Sequence, residues 1–570
     1  MSPYTLGIIT QVLLFGAIAS SYNLLLGFSR LFSVAQGAFV SFGAYAIGIG
    51  AIRYDLPWLV AAIAGIALAG VAGLMIGLLA LRISDDYLAI ATFALQIVMT
   101  SALESFHDFT GGTYGIPGIP GIEIFGFAFD TPWDLVFAAA IVLVICMEAA
   151  RRVDRSPFGL VLRASGQDEV AARALGKRPA LAKVAVVTVS AMLAAVAGAV
   201  YASYLGYILP ATFDVHFSIL LLSMVIVGGA GSMLGPLVGS ILIVALPELL
   251  DQLGATSSTV VYIRELLFGV VLLLVVVVLR RGIVKPRRHA QPAPHDVGGE
   301  IVHVSGATLE GRGLTRAFGG IKAVTDVDLS LAPGRVTGVV GPNGAGKTTL
   351  FDLVTGAQPA NAGTVALDAS TIDKLGFDAR ARHGLLRSFQ GLRLFEELTA
   401  LENVMVAVPL GHDEGAVTAL LRRRRARAAL RRAAQEAGAA LGAVGLTEGL
   451  DRRARDLSYA EQKLLSLARV IAAKPRVVLL DEPASGLDPA TLARMTEIVR
   501  GLAQDGRSVC IVEHNTKVLS ELSDEMVFLH LGEVLATGSP EQITSDPRLA
   551  AIYFGVAEES APKKTPEGVM

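Results

Sequence analysis

The first 280 residues are dominated by apolar runs close to the ~20 residues that a helix needs to cross a bilayer, and no other feature restricts the fold as much. Lipid offers the backbone no hydrogen bonds, so such runs fold as helices that satisfy themselves. We read about nine spans, at 7–27, 32–52, 57–81, 86–106, 134–150, 181–205, 215–230, 233–251 and 262–279. Gly228-Gly229-Ala230-Gly231-Ser232 leaves 215–251 open to a bend or a re-entrant hairpin in place of a clean turn. Over all 570 residues, 53% are apolar and the mean hydropathy is +0.58, too hydrophobic for an ordinary soluble protein. The excess lies in the first half, and the residues after about 300 have the composition of a soluble α/β domain. The net charge of −2 averages two unlike halves and decides nothing.

The second half carries Gly341-Pro342-Asn343-Gly344-Ala345-Gly346-Lys347-Thr348-Thr349 between a buried strand pattern, Arg335–Val340, and the opening of a helix at Leu350. In that context G-x-x-x-x-G-K-[S/T] binds phosphate. The glycines turn backbone N–H groups inward and the helix N-terminus adds partial positive charge. Lys347 is placed to reach the β and γ phosphates and Thr348 to ligate Mg²⁺, so the expected ligands are a nucleoside triphosphate and Mg²⁺.

ATP is cytosolic, so residue 280 onward lies inside, and counting spans back puts the N-terminus outside. The basic residues agree with this parity. Arg30, Arg82, Arg151, Arg152, Arg155, Arg163, Arg173, Lys177, Arg178, Arg280, Arg281, Lys285, Arg287 and Arg288 fall on inner segments, and loop 107–133 has neither Lys nor Arg. The other outer connections contribute only Arg53 and Arg264. Residues 1–6 lack a basic n-region, so no cleavable signal peptide is expected. Cys146 and Cys510 sit in different halves and read as packed hydrophobes.

Asn23, Gln36, Gln96 and Glu104 interrupt the apolar runs and need partners, which interhelical hydrogen bonds supply more simply than a solute path. Gly73 and Gly77 predict close helix packing. Ser156 to Gly176 mixes charges and small apolar residues at helical spacing, which fits a short amphipathic helix as well as a solvated basic loop.

Downstream, Arg476–Pro483 is an apolar strand ending in two carboxylates, Asp481 to hold the metal through water and Glu482 to orient the attacking water. Two alternating strands, around Leu314–Gly320 and Ala323–Leu331, precede the glycine loop. The Arg422–Arg427 run with Arg431 and Arg432 invites a nucleic-acid or lipid reading, but its alanine and leucine spacing favours a helix with a solvated basic face over either. Residues 286–305 read as a linker and 557–570 as a disordered tail.

Two resemblances join these observations. Ser21–Gly27, Gln36–Phe39, Gly43–Tyr45, Thr110–Gly112, Ser156–Gly176 and Val227–Pro236 resemble the permease of branched-chain amino-acid ABC importers, in order and spacing, through nearly all of 5–285. The glycine loop, Arg387-Ser388-Phe389-Gln390, Leu457–Lys463, Asp481-Glu482, Ser485–Asp488 and Val512-Glu513-His514 resemble the ABC ATPase in the same way. Arg387–Phe395 with Leu398-Thr399 and Glu402–Val404 is similar to the ATPase partner of that same permease family.

The resemblance implies a polytopic α-helical membrane domain over 1–285, joined to an α/β ABC-type P-loop ATPase with a helical subdomain over 306–556. It implies that 156–176 is the coupling helix that rests on the ATPase. Gly341, Asn343, Gly344, Gly346, Lys347, Thr348 and Thr349 hold the phosphates, Phe318 stacks on adenine, and Thr348, Gln390 and Asp481 serve Mg²⁺. Catalysis falls to Glu482, His514 and Gln390, while Ser458, Ala460, Glu461 and Asp488 act across a dimer. The usual signature is Leu-Ser-Gly-Gly-Gln, and Ala460 stands at a glycine position, which predicts slower hydrolysis at the site it completes.

The implied assembly is a second permease and ATPase pair, paralogous or a second copy of this chain, with an extracytoplasmic solute-binding protein and membrane lipid. The implied place is the bacterial inner membrane, with the ATPase cytoplasmic. The implied activity is ATP-driven import of branched-chain or related amino acids. Alternatives are import of urea, amides or small organic acids, an ATP-driven exporter, and a regulatory membrane ATPase.

Overall fold

The structure, a computed structural model, describes residues 2–83, 85–129, 131–245, 269–270, 282–285 and 303–554. All of the span read at 262–279 except 269–270, the later part of that at 233–251, nearly all of the linker 286–305, and the tail 557–570 lie outside the described residues. Two compact units divide the chain. One comprises Met1–Gly166, Pro179–His289 and His412–Ala428; the other comprises Gln167–Arg178, Ala290–Gly411 and Ala429–Met570.

The first unit is helical. Among the described residues, six helices are long and apolar enough to cross a membrane: Pro3–Phe28, Trp58–Leu79, Tyr87–Ser105, Pro132–Asp154, Pro179–Leu205 and Pro210–Gly228. Burial separates their positions. The windows in Pro3–Phe28 and Pro179–Leu205 are 72% and 67% buried and form the centre, whereas those in Tyr87–Ser105 and Pro132–Asp154 are only 22% and 33% buried and face outward. Gln36–Tyr54 is a seventh long helix, diluted by glycine, Gln36, Ser41 and Arg53, and it is mostly enclosed by its neighbours.

Local sequence starts these helices. Thr131-Pro132-Trp133-Asp134 forms a capping box with proline in the first turn, and Ser2-Pro3 caps the first helix through Thr5 N–H at 3.2 Å. The helix Gln36–Tyr54 has no such cap, and side chains distant in sequence replace it. Gln96 Oε1 accepts from Ala38 N–H at 2.8 Å, Ser218 Oγ accepts from Gly37 N–H at 2.9 Å, and Gln96 Nε2 donates to the Phe213 carbonyl at 2.6 Å. Without them the orphan N–H groups of that helix would be buried unpaired. Asn23 works similarly on the glycine-rich segment after Val215–Gly228: its amide donates to the Ser232 carbonyl at 2.9 Å and accepts from Gly231 N–H at 2.8 Å. That segment makes a tight turn into a second helix, Gly235–Ser240, continued by a wide turn at Ile241–Ala245.

Gly73 and Gly77 meet the expectation of close packing. A Cβ on Gly73 would stand 2.8 Å from Ala191 Cβ, and one on Gly77 would stand 2.8 Å from Val184 Cα, both on Pro179–Leu205. Cys146 and Cys510 are free and buried.

The second unit is α/β. Six strands form one sheet in the order Leu385–Arg387, Val477–Asp481, Ser508–Val512, Val336–Val340, Glu525–His530, Glu533–Gly538, with only the last pairing antiparallel. Val336–Val340, Val477–Asp481 and Ser508–Val512 are buried at every position, as continuous apolar runs in a covered parallel sheet should be. A four-stranded antiparallel sheet holds Ile321–Leu331, Leu309–Phe318, Ala362–Leu367 and Ser370–Thr371 in that order. Ala400–Ala407, Arg423–Val444 (whose residues up to Ala428 belong to the first unit), Tyr459–Ala472 and Pro489–Gln504 are inserted between strands. In Arg423–Val444 Ala426, Ala429, Ala433, Ala434, Ala437 and Ala440 are buried, whereas Arg424, Arg431 and Arg432 are exposed on the basic face expected from the sequence.

Candidate nucleotide site

Parallel pairing brings the C-terminal ends of Val336–Val340, Val477–Asp481 and Ser508–Val512 side by side, with Asp481 in register with Val512. The glycine loop leaves the first, the carboxylate pair the second and His514 the third. This edge is where open α/β sheets bind ligands.

In the loop, Gly344 and Gly346 have φ of +79° and +101°. A Cβ on Gly346 would also fall 2.3 Å from the Ala323 carbonyl oxygen, so neither backbone angle nor space admits a side chain. Gly346 then caps the helix Lys347–Thr355 without a side-chain acceptor, leaving its first N–H groups available to an anion. Asn343, Gly344 and Thr348 are exposed and Thr349 is half-buried. Lys347 Nζ donates to the Gly341 and Pro342 carbonyls at 2.7 and 3.0 Å. Burial holds its pKa below the ordinary lysine value, against the pull of Glu482 and Asp481.

Glu482 lies at φ +48°, an uncommon angle for a side-chain-bearing residue. Its N–H donates to the Val512 carbonyl at 2.9 Å, and its own carbonyl accepts from Lys463 Nζ at 2.9 Å. The carboxylate is gripped at both oxygens: His514 Nε2 is 2.7 Å from Oε1, and Gln390 Nε2 donates to Oε2 at 3.0 Å. Three residues named from the sequence as catalytic, separated by as many as 124 positions (514 − 390), thus meet at one carboxylate.

Arg387, whose role its sequence position does not reveal, lies behind the carboxylate pair. It is buried, with one guanidinium nitrogen 3.0 Å from Asp481 Oδ2 and another on Asp352 Oδ1, and it lies 5.6 and 5.3 Å from the ring centroids of Phe351 and Phe389. Ser388 Oγ accepts from Asp481 N–H at 3.1 Å. Burial pushes the Asp481 carboxyl above its usual pKa, and Arg387 opposes that shift. The only available signal was an arginine next to a motif, and pairing with Asp481 could not be read from it.

The remaining expected residues stand apart. Ser458 caps Tyr459–Ala472 in a box with Glu461, accepting from Glu461 N–H at 3.3 Å, with Ala460 in the first turn. Tyr459 donates to the Ser485 carbonyl at 3.2 Å. Asp488 caps Pro489–Gln504 through Thr491 and Ala490, and those hydrogen bonds, Thr491's first, lower its pKa. Phe318 ends its strand 42% exposed, with the Arg316 guanidinium 4.8 Å from the ring centroid. Among the described residues, no hydrogen bond joins Ser458, Ala460, Glu461, Asp488 or Phe318 to the glycine loop.

A second feature of this unit is the docking of residues 167–178. Asp168 caps Glu169–Ala174 and accepts from Arg393 at 3.1 Å, Gln167 Oε1 accepts from Glu397 N–H at 2.8 Å, and Lys177 Nζ donates to the Val408 carbonyl at 2.8 Å. Arg173 lies over the Phe377 ring at 6.0 Å.

A glycine loop on a parallel sheet, with a carboxylate pair, glutamine and histidine at the next strand ends, defines a nucleotide-binding ATPase cassette, here carried on a chain with membrane-spanning helices. The family profile for the branched-chain amino acid transport system permease component matches residues 4–276, and that for the ABC transporter matches residues 324–485. BraF of Pseudomonas aeruginosa, a high-affinity branched-chain amino acid transport ATP-binding protein, is 38% identical over 250 residues, which are 44% of this chain and 98% of BraF. LivG of Escherichia coli K12, which bears the same description, is 36% identical over the same shares. The lipopolysaccharide export system ATP-binding protein LptB of Escherichia coli K12 is 31% identical over 249 residues, 44% of this chain and 98% of LptB. The chain belongs to the ABC transporter family and joins a permease of the branched-chain amino acid type to its ATP-binding component in one polypeptide. It is a membrane-embedded ATP hydrolase coupled to transport.

Proposed function

We propose that this chain drives import of a small polar solute, branched-chain or related amino acids first among them, across the bacterial inner membrane, with the ATPase on the cytoplasmic side. The observation that carries this reading is the permease match over 4–276. The cassette alone would not discriminate, because it is similar both to ATP-binding proteins of branched-chain amino acid transport and to one of lipopolysaccharide export.

In this reading Lys347 exchanges the Gly341 and Pro342 carbonyls for the β and γ phosphates, and the exposed amides of the loop and first helical turn take the rest of the triphosphate. Gly341, Asn343, Gly344, Gly346, Thr348 and Thr349 complete that cradle, with Phe318 against the adenine. Thr348, Gln390 and Asp481 would hold Mg²⁺. Their donors are oxygens of the hard kind that Mg²⁺ takes, and the described residues contain no cluster of three or more His, Cys, Asp or Glu suited to a metal, so water and phosphate must supply the other ligands. Bound there, Mg²⁺ would neutralise charge on the β and γ oxygens. Glu482, clasped by His514 and Gln390, accepts the proton of the attacking water. Ser458, Ala460, Glu461 and Asp488, which lie off the loop in one chain, serve the ATP of a second cassette.

A working transporter therefore needs a second permease and ATPase pair, paralogous or another copy of this chain, and an extracytoplasmic solute-binding protein. In sequence the permease takes 1–285 and the ATPase 306–556, with 167–178 and 412–428 exchanged between the two compact units. Residues 156–176 couple the two activities, a role supported by the bonds that Asp168 and Gln167 make. The test is uptake into proteoliposomes of the assembled transporter with its binding protein. ATP-dependent leucine accumulation, abolished by Glu482→Gln, is expected. Solute leaving the cytosolic side, or ATP hydrolysis without solute movement under any binding protein, would overturn import.

A further inference from the structure

Pro132–Asp154 faces outward along much of its length, with Phe137 60% and Val144 63% exposed. From Trp133 to Arg151 it rises about 27 Å at about 1.5 Å per residue, close to the ~30 Å of a hydrocarbon core. With the orientation proposed above, its end at Arg151, Arg152 and Arg155 falls at headgroup depth on the cytosolic side.

In the same compact unit, the short helix Ala416–Leu421 lies beside that end. Ala419 is buried in the apolar core of the unit, with Ala416 and Leu420 packed against it, and the Leu420 carbonyl accepts from Arg152 at 2.7 Å. One helical turn apart, Val417 and Leu421 remain 63% and 77% exposed. Arg423 and Arg427 follow. Together Arg151, Arg152, Arg155, Arg423 and Arg427 line a shallow cleft open to solvent, with Glu148 as the one acid in its lining. That carboxylate is shared among three of them: Arg152 Nε at 3.0 Å, Arg423 at 3.6 Å and Arg151 at 3.9 Å. Burial, then the charges of Arg151, Arg427 and Arg423, hold the Arg155 pKa below the ordinary arginine value, with Asp154 opposing. Around the cleft, Arg151, Arg152 and Arg423 share the single Glu148 carboxylate and Arg427 adds a fourth guanidinium, an excess that calls for a further anion, and two bare aliphatic side chains beside them call for hydrocarbon. A free phosphate or nucleotide satisfies only the first demand.

We propose that this cleft binds the headgroup phosphate of an anionic phospholipid of the cytosolic leaflet, with Val417 and Leu421 set among its acyl chains. The proposal does not depend on which solute is moved.

The test measures lipid retained by the full-length transporter in nanodiscs of phosphatidylcholine with a minor fraction of phosphatidylglycerol. The wild type is expected to retain phosphatidylglycerol above its bulk fraction. At about fivefold per arginine near an anionic surface, R423Q/R427Q should weaken that preference about 25-fold. R423K/R427K should keep most of it while also reporting intact folding, and V417S/L421S should shorten lipid residence. No preference in the wild type, or equal preference in R423Q/R427Q, would overturn the proposal. So would displacement of the lipid by soluble glycerol phosphate, which would assign the cleft to a free anion.

Discussion

Arg387 offers the sharpest test of how the nucleotide site is held together. Replacing it with methionine keeps the volume and removes the charge, leaving Asp481 and Asp352 in a site where Asp481 is 4% exposed. With the nearest atoms 3.0 Å apart, the charge centres lie about 4 Å apart, which at an effective dielectric near 20 is worth about 4 kcal/mol. Breaking a buried pair by removing one partner typically costs about 3–5 kcal/mol, in agreement. For a domain of this size that corresponds to a fall in Tm of about 10 °C.

The sign with pH is also determined. Asp481 is already held above its usual pKa by burial, so the folded state binds that proton more tightly, and stability declines as pH rises through the interval between the unfolded and folded values. Losing Arg387 extends this interval upward, so the penalty is small near the unfolded aspartate value of about 4 and grows above it. Thermal unfolding of the full-length chain and R387M at about pH 5 and about pH 8 reads both quantities. Restoring neutrality with R387M/D481N should recover much of the loss at the higher pH. A fall in Tm below about 2 °C, or one equal at the two pH values, would refute the account.

Four further outcomes are expected. Glu482→Gln should lower hydrolysis at least about 100-fold while nucleotide binding persists, since Lys347 and the glycine loop are untouched; ATPase and binding assays separate the two. Ala460→Gly should raise the ATPase rate of the assembled transporter about fivefold, equivalent to about 1 kcal/mol, and an unchanged rate would remove the reason given for slow hydrolysis. Asp168→Ala breaks the bond to Arg393 and the cap on Glu169–Ala174, costing about 1 kcal/mol. It should depress solute uptake more than hydrolysis, read as the uptake-to-ATP ratio. Gly198→Leu puts a side chain where even a Cβ would lie 2.1 Å from the Val40 carbonyl. Helices Gln36–Tyr54 and Pro179–Leu205 must separate, and the yield of folded protein from membranes should collapse.

What the sequence determined by itself was whatever is written in adjacent residues. Apolar runs of bilayer length, Thr131-Pro132-Trp133-Asp134, and the strand-loop-helix around Lys347 are local arrangements of backbone and solvent. Motif order then named Gln390, Glu482 and His514 without saying that they share one carboxylate. Tertiary structure alone decided which buried polar group answers which: Asn23 across 208 positions to Gly231, Gln96 across 58 to Ala38, Arg387 across 94 to Asp481. It also decided that residues 412–428, read within the ATPase, fold into the compact unit of the membrane helices, and that 167–178, read within the permease, fold into that of the cassette. The reason is that burial without a partner is costly for any polar group, so a partner must exist, yet the chain's path, not its spelling, selects it.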